Sequence, residues 1–172
     1  MIRILLAGQG GQGVLSAGKI IAESGLHEGK EVSYLPAYGP EMRGGTANCS
    51  VIVSDEEIAS PLCNEPDVLV AMNAPRFPKF APRVKKGGVI LVNVSLSDDH
   101  AGRDDVSLYE IAANDIAMKE GDVRSANSVM LGALCRRLGF DREKFEAALL
   151  ASIPQKTVEM NKKAFALGYA AA

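Results

Sequence analysis

The sequence predicts an α/β fold: a single domain over residues 1–172, three layers about a mostly parallel central sheet, closed by a helical C-terminal region. Three observations carry this. Apolar runs of strand length alternate with helix-length segments, the pattern of parallel strands joined by crossover helices. A glycine-rich turn, "GQGGQG" at residues 8 to 13, separates the first apolar run from the first helical one. From residue 126 onward the apolar spacing is helical throughout.

Taken in order, residues 2 to 7 read as the first strand and 11 to 28 as the first helix, with Val14, Leu15, Ala17, Ile20, Ile21 and Leu26 at helical spacing and Gly29 as its stop. Residues 31 to 35 form a second strand and 36 to 45 a loop dense in Gly and Pro. Residues 46 to 54 alternate well enough for an antiparallel or edge strand, which would make the sheet mixed. Short buried strands follow at 68 to 72 and 88 to 94, and the two prolines between 76 and 86 shorten or break any helix there. A polar loop at 97 to 105 leads to a strand at 106 to 111 and a short helix at 115 to 119. Helices are then expected at 126 to 138, 141 to 152, where Asp141 is the N-cap, and 158 to about 167, with the terminal alanines as a tail.

A chain of this length buries about 70% of its unfolded surface, enough for one full core. Lys and Arg total 19 against 21 Asp and Glu, so no basic footprint for nucleic acid is present, and the absence of Trp argues against a base-stacking platform. The longest apolar stretches are strand-sized, and no signal-peptide pattern opens the chain, so the expectation is a soluble cytoplasmic protein without a membrane role. Cys49, Cys63 and Cys135 are far apart without a Cys-x-x-Cys or Cys/His cluster and read as buried apolar residues. His27 and His100 read as solvated, as does the acidic run Asp98, Asp99, Asp104 and Asp105, whose cation-binding alternative is too loosely spaced to assign a metal. No constellation for independent catalysis is evident.

Gly8, Gly10 and Gly13, with Gly11 and Gln12 between them, satisfy G-x-G-x-x-G after a strand and before a helix. Residues without Cβ let a ligand approach the backbone, and the free N–H groups and helix dipole favour an anion. A dinucleotide site would also place an acid at the end of the second strand, and "VSYLPA" offers none. A P-loop fits worse, because the turn has no Gly-Lys-Ser/Thr ending. Two readings stay open: close strand-to-helix packing, or a surface for a phosphate-bearing ligand or a partner's active site.

The second glycine loop, "YGPEMRGG" at 38 to 45, adds Arg43, a planar donor for carboxylate or phosphate, beside Gly44 and Gly45. Its plainer alternative is a surface pair of Glu41 with Arg43. Together with "GQGGQGV" at 8 to 14, "YGPEMRGGTANCSVIVSDEEIASP" at 38 to 61, "DVLVAMN" at 67 to 73, "GGVILVNVSL" and "ANSVMLGAL" at 126 to 134, this loop resembles the gamma subunits of 2-oxoacid:ferredoxin oxidoreductases. The resemblance spans roughly residues 1 to 135 in order, and the helices after Leu138 add nothing to it.

That resemblance implies a Rossmann-like subunit, inactive alone, working with alpha and beta partners, in some members also delta. Those partners hold thiamine diphosphate, magnesium and iron-sulfur clusters. The assembled enzyme oxidatively decarboxylates a 2-oxoacid, transfers the acyl group to coenzyme A and reduces ferredoxin, with 2-oxoglutarate the favoured acid. No cofactor is expected on this chain alone. Residues expected to shape the coenzyme A side are Gly8, Gly10, Gly11, Gln12, Gly13, Arg43, Gly44, Gly45 and Asn73, with Asn127 as a further rim contact or simply a helix N-cap. The alternative function is a stand-alone Rossmann-type nucleotide-binding or regulatory module. Residues 60 to 64 and 74 to 84 are candidates for exposed partner surface, although Phe77 and Phe80 could equally form a small cluster under a loop.

Overall fold

Apolar side chains on both faces put the N-terminal strand β1 (Ile2–Gln9) in the interior of a six-stranded sheet. The structure is a computed structural model and describes residues 1–38, 45–73, 77–96 and 102–172. Helix α1 (Val14–His27) leads from β1 to β2 (Glu31–Tyr38), which pairs antiparallel with β3 (Thr46–Ser54). The remaining strands are β4 (Val68–Ala71), β5 (Val89–Asn93) and β6 (Ser107–Ile111). The sheet order is β2-β3-β1-β4-β5-β6, and β3 alone runs against the others.

This topology has a functional consequence. The C-terminal ends of β1, β2, β4, β5 and β6 and the start of β3 all come to one edge of the sheet, where ligands of open α/β sheets bind. The expected antiparallel strand is therefore interior rather than marginal, paired with β1 (Leu5 opposite Ser50) and β2 (Leu35 opposite Ser50). The second strand runs three residues further than its apolar run predicts. Pro36 is accommodated because β2 is an edge strand, which leaves one row of its backbone groups outside any ladder.

The two sheet faces are covered unequally. Ile4, Leu6, Cys49, Val51, Val68, Val70 and Leu91 pack against α1 and against α3 (Ala113–Lys119), α4 (Ala126–Leu138), α5 (Arg142–Ala151) and α6 (Val158–Ala171). Leu5, Ala7, Leu69, Ala71, Ile90 and Val92 face a thinner layer built on the short helix α2 (Phe77–Phe80), with Phe77 and Phe80 buried against them. Those two rings thus belong to a satellite core, whereas Leu62 of the other candidate segment stands 59% exposed.

Asp141 caps α5 as its spacing predicts, accepting from the Lys144 N–H at 3.0 Å. The terminal alanines are not a loose tail: α6 continues to Ala171, and the Arg136 guanidinium donates to the Ala172 carbonyl at 3.1 Å. Helices α4 and α6 lie backbone to backbone, because a Cβ on Gly168 would stand 1.9 Å from the Val129 carbonyl oxygen and one on Gly132 2.1 Å from that of Phe165.

Candidate functional site

The glycine turn is shaped by its own glutamine. Gln12 folds back so that its Oε1 accepts from the Gln9 N–H at 2.8 Å, and it occupies the space over Gly8 that a Cβ would need. The chain then enters α1 through Gly13, which caps the helix in the left-handed region at φ 73° with no side-chain cap. Two demands coincide there, because a Cβ would also stand 2.7 Å from the Asn127 amide nitrogen of α4. Gly11, at φ 91°, is exposed with open space around it. The first N–H groups of α1 therefore face outward without an intrahelical or side-chain acceptor, the arrangement that favours negative charge.

The structure brings the two glycine segments together. The Gly10 N–H donates to the Gly45 carbonyl at 3.0 Å, joining the end of β1 to the approach to β3. Between them lies a cleft of about 380 Å³, walled by Gln9, Gly10, Gly11, Gly13, Ser16 and Gly45 among others. Arg43 and Gly44, and with them Glu41, lie outside the described residues. Asn73 follows β4 at the same edge, 3% exposed, and its Oδ1 has no partner among the described residues. A buried amide oxygen left unpaired costs about 1–3 kcal/mol, which a donor on a ligand or partner would recover.

One residue that the sequence did not single out organises this edge. Asn93, ending β5 and 2% exposed, donates to the Met72 carbonyl (3.2 Å) and to Asn114 Oδ1 (2.8 Å). Its own Oδ1 accepts from the Ala113 (3.1 Å) and Ser95 (3.3 Å) N–H groups. One amide thus ties β4, β5 and the start of α3 together. The available signal was an Asn closing an apolar run, in "GGVILVN". Asn127 is the second residue of α4, and Ser125 holds the capping position, so the N-cap alternative for Asn127 does not hold.

Among the described residues the titratable groups do not assemble into an acid–base pair at this edge. Burial pushes the Cys49 and Cys135 thiols up to about 12, and burial raises Cys63 as well. All three are free and buried, Cys49 on β3, Cys63 in the segment between β3 and β4, and Cys135 on α4. Such a set does not fit the ligation of an iron-sulfur cluster, which takes accessible thiolates converging on one point. Among the described residues no group of three His, Cys, Asp or Glu side chains could hold a metal ion. Asp105, read as solvated, is instead clamped by Arg103, which holds its carboxyl below the ordinary range and also donates to the Ala81 and Val84 carbonyls. His27 ends α1, while His100 and Asp98 and Asp99 lie outside the described residues. No helix among the described residues is long and apolar enough to cross a membrane.

The structure is an α/β domain with two glycine segments hydrogen-bonded across the C-terminal edge of its sheet, the edge where ligands of open α/β sheets bind. The chain belongs to the pyruvate ferredoxin/flavodoxin oxidoreductase family, whose description matches residues 3–171. It is 40% identical over 171 residues to ketoisovalerate oxidoreductase subunit VorA of Methanothermobacter thermautotrophicus, covering 97% of this chain and 35% of that protein. It is 41% identical over 170 residues to 2-oxoglutarate synthase subunit KorC of Methanocaldococcus jannaschii, covering 96% and 91%. The chain thus spans about a third of the ketoisovalerate relatives it matches and nine-tenths of that KorC.

Among solved structures, the gamma subunit of a keto/oxoacid ferredoxin oxidoreductase from Geobacter sulfurreducens superposes with a TM-score of 0.88 at 32% identity, covering 100% of this chain and 98% of that one. The 2-oxoglutarate:ferredoxin oxidoreductase of Magnetococcus marinus, solved with 2-oxoglutarate, coenzyme A and succinyl-CoA bound, superposes with a TM-score of 0.90 at 26% identity. There the match covers 99% of this chain and 31% of the neighbour.

Proposed function

We propose that this chain is the gamma-type subunit of a cytoplasmic, thiamine diphosphate-dependent 2-oxoacid:ferredoxin oxidoreductase, and that its glycine edge walls the coenzyme A side of the complex. The balanced reaction takes a 2-oxoacid, coenzyme A and two equivalents of oxidised ferredoxin to acyl-CoA, carbon dioxide, a proton and two equivalents of reduced ferredoxin. Thiamine diphosphate, magnesium and the clusters belong to alpha, beta and, where present, delta partners. This chain contributes a surface, and its own side chains carry no bond-making step.

The observation that carries the reading is the Gly10 to Gly45 hydrogen bond, which sets two glycine segments and the uncapped start of α1 around one cleft. Gly8, Gly10, Gly11, Gln12, Gly13 and Gly45 shape that cleft, Arg43 and Gly44 directly precede Gly45 in the sequence and are assigned to the same role, and Asn73 adds a buried oxygen without a partner among the described residues at the same edge. Of the acids the relatives' names mention, 2-oxoglutarate is the favoured substrate, because the relative this chain covers nearly end to end at 41% identity carries that name.

The test is gentle anaerobic purification of the chain from its source cells. A brown assembly larger than the chain, reducing a viologen dye with a 2-oxoacid and coenzyme A, is the expected result, and a substrate panel names the acid. Within that assembly Arg43→Ala should raise the KM for coenzyme A, and unchanged kinetics would remove Arg43 from the site. A colourless chain, alone and binding NAD, ATP or coenzyme A by itself, would instead establish the stand-alone module.

A further inference from the structure

Strands β2 and β3, at one end of the sheet, carry a core on one face only. On the first face Val32, Tyr34, Cys49, Val51 and Val53 pack under α1, where the Tyr34 hydroxyl donates to the Leu15 carbonyl at 3.0 Å. On the second face, where the α2 layer covers β1, β4 and β5, no described residue of β2 or β3 joins the core. A mostly parallel sheet is ordinarily covered by helices on both faces, so cover is missing here.

Residues directly opposite one another in an antiparallel pair share a face, and Leu5, Ser50 and Leu35 form one such row across β1, β3 and β2. Leu5 is buried, whereas Leu35 is 40% exposed and is followed on its face by the exposed Ala37, opposite half-buried Asn48. The segment between β3 and β4 runs beside this row. The Cys63 thiol is hydrogen-bonded to Ser50, and its neighbour Leu62 is 59% exposed. Leu35, Ala37, Leu62, Asn48 and Ser50 thus make a strip without a charged side chain. Two strands at about 4.8 Å spacing offer the width of one α-helix, about 10 Å. Extension of the sheet by a further strand is disfavoured instead, because Pro36 takes an N–H out of the outer edge of β2.

Toward the N-terminal edge of the sheet the strip ends among acids. Glu31, on the same face as Leu35, and Glu56, Glu57 and Glu65 are exposed and without an ion pair among the described residues. Of the cations around them, Lys30 is taken up by Asp55, Lys85 by Asp67, and Arg83 by the Cys63 and Asn64 carbonyls, which leaves Arg3 against four carboxylates. The complement of this surface is apolar along most of its length and basic at one end. In the ketoisovalerate relatives the matching region is about a third of one longer polypeptide, so there it stays permanently beside further protein.

We infer that this strip seats an amphipathic helix of a partner subunit, apolar where it covers Leu35, Ala37 and Leu62 and basic where it passes the four glutamates. The inference rests on the reading of this chain as one subunit of an oxidoreductase.

The test is hydroxyl-radical footprinting of the oxidoreductase as assembled in the source cells. Leu62 and Leu26 are both 59% exposed in this chain, and Leu26 lies on α1 in the opposite layer, so it serves as the internal reference. In the assembly Leu62 should be oxidised at least about tenfold more slowly than Leu26, as a side chain in the core of an interface would be, and Leu35 should be protected with it. Equal labelling of Leu62 and Leu26 would overturn the docking face. Leu35→Glu, which sets a charge in that interface, should lower the yield of assembled enzyme by about tenfold or more, while Leu26→Glu leaves it at the wild-type level. Full assembly with Leu35→Glu would overturn the inference too. The footprint needs no variant, so it decides the matter even if Leu35→Glu does not fold. A dimer of this chain alone that Leu35→Glu splits would assign the face to a second copy and remove the partner helix. A wild-type chain that purifies alone would remove the subunit reading as well, whereas an active assembly with Leu62 as reactive as Leu26 would remove the docking face only.

Discussion

Replacing Asn93 isolates the device that holds the strand C-termini in register. The side chain is 2% exposed and makes four hydrogen bonds, so Asn93→Ala leaves the buried Met72 carbonyl and the buried Ala113 N–H without partners. At about 1–3 kcal/mol for each orphaned buried group, the loss is about 2–6 kcal/mol. For a domain of this size that lowers the Tm by about 2–4 °C per kcal/mol, or about 8–16 °C at the middle of the range.

Asn93→Asp separates donor from acceptor. Its carboxylate keeps the bonds from Ala113 and Ser95 but sets negative charge against the Met72 carbonyl and Asn114 Oδ1. Burial and those oxygens raise the folded-state pKa of the new carboxyl above its unfolded value, so the variant is most stable below the unfolded pKa. It loses stability as pH rises through the folded pKa. Thermal unfolding followed by circular dichroism at pH 4 and pH 7 reads this directly: the deficit of Asn93→Asp against wild type should be larger at pH 7. A Tm for Asn93→Ala within about 2 °C of wild type would refute the tether, since the two orphaned groups predict a fall of at least about 4 °C. A pH-independent deficit for Asn93→Asp would refute its chemistry.

Two further outcomes follow from the packing. Gly168→Ala sets a methyl against the Val129 backbone, which cannot swing aside, so helices α4 and α6 must separate. Overpacking of this kind costs about 1–3 kcal/mol and occasionally more, and an unchanged urea midpoint would contradict the close approach. Cys49 and Cys135 should resist iodoacetamide in the native chain at pH 8 and react once it is unfolded. Because burial raises both thiols in the folded state, stability should also fall as pH rises above the unfolded thiol range, and native-state alkylation of either residue would show that the thiol is not held in the core.

What the sequence determined by itself is what local chemistry dictates. Ile2 to Ala7 reads as a strand because apolar residues fill both faces, the first helix follows from Val14, Ala17, Ile20 and Ile21 at helical spacing, and Asp141 caps a later one because an N–H three residues on needs an acceptor. The resemblance carried by "GQGGQGV" and "YGPEMRGG" likewise lay in the residue order. Tertiary structure decided whatever depends on residues far apart in the chain. Position 93 reads as one polar residue at a strand end, and its four partners come from residues 72, 95, 113 and 114 only after β4, β5 and α3 pack. The interior place of β3, the bond from Gly10 to Gly45 and the approach of Asn127 to Gly13 have the same origin. Periodicity reports which face of an element is buried, whereas the identity of the neighbour across that face is set by strand order and by how closely glycine lets backbones meet.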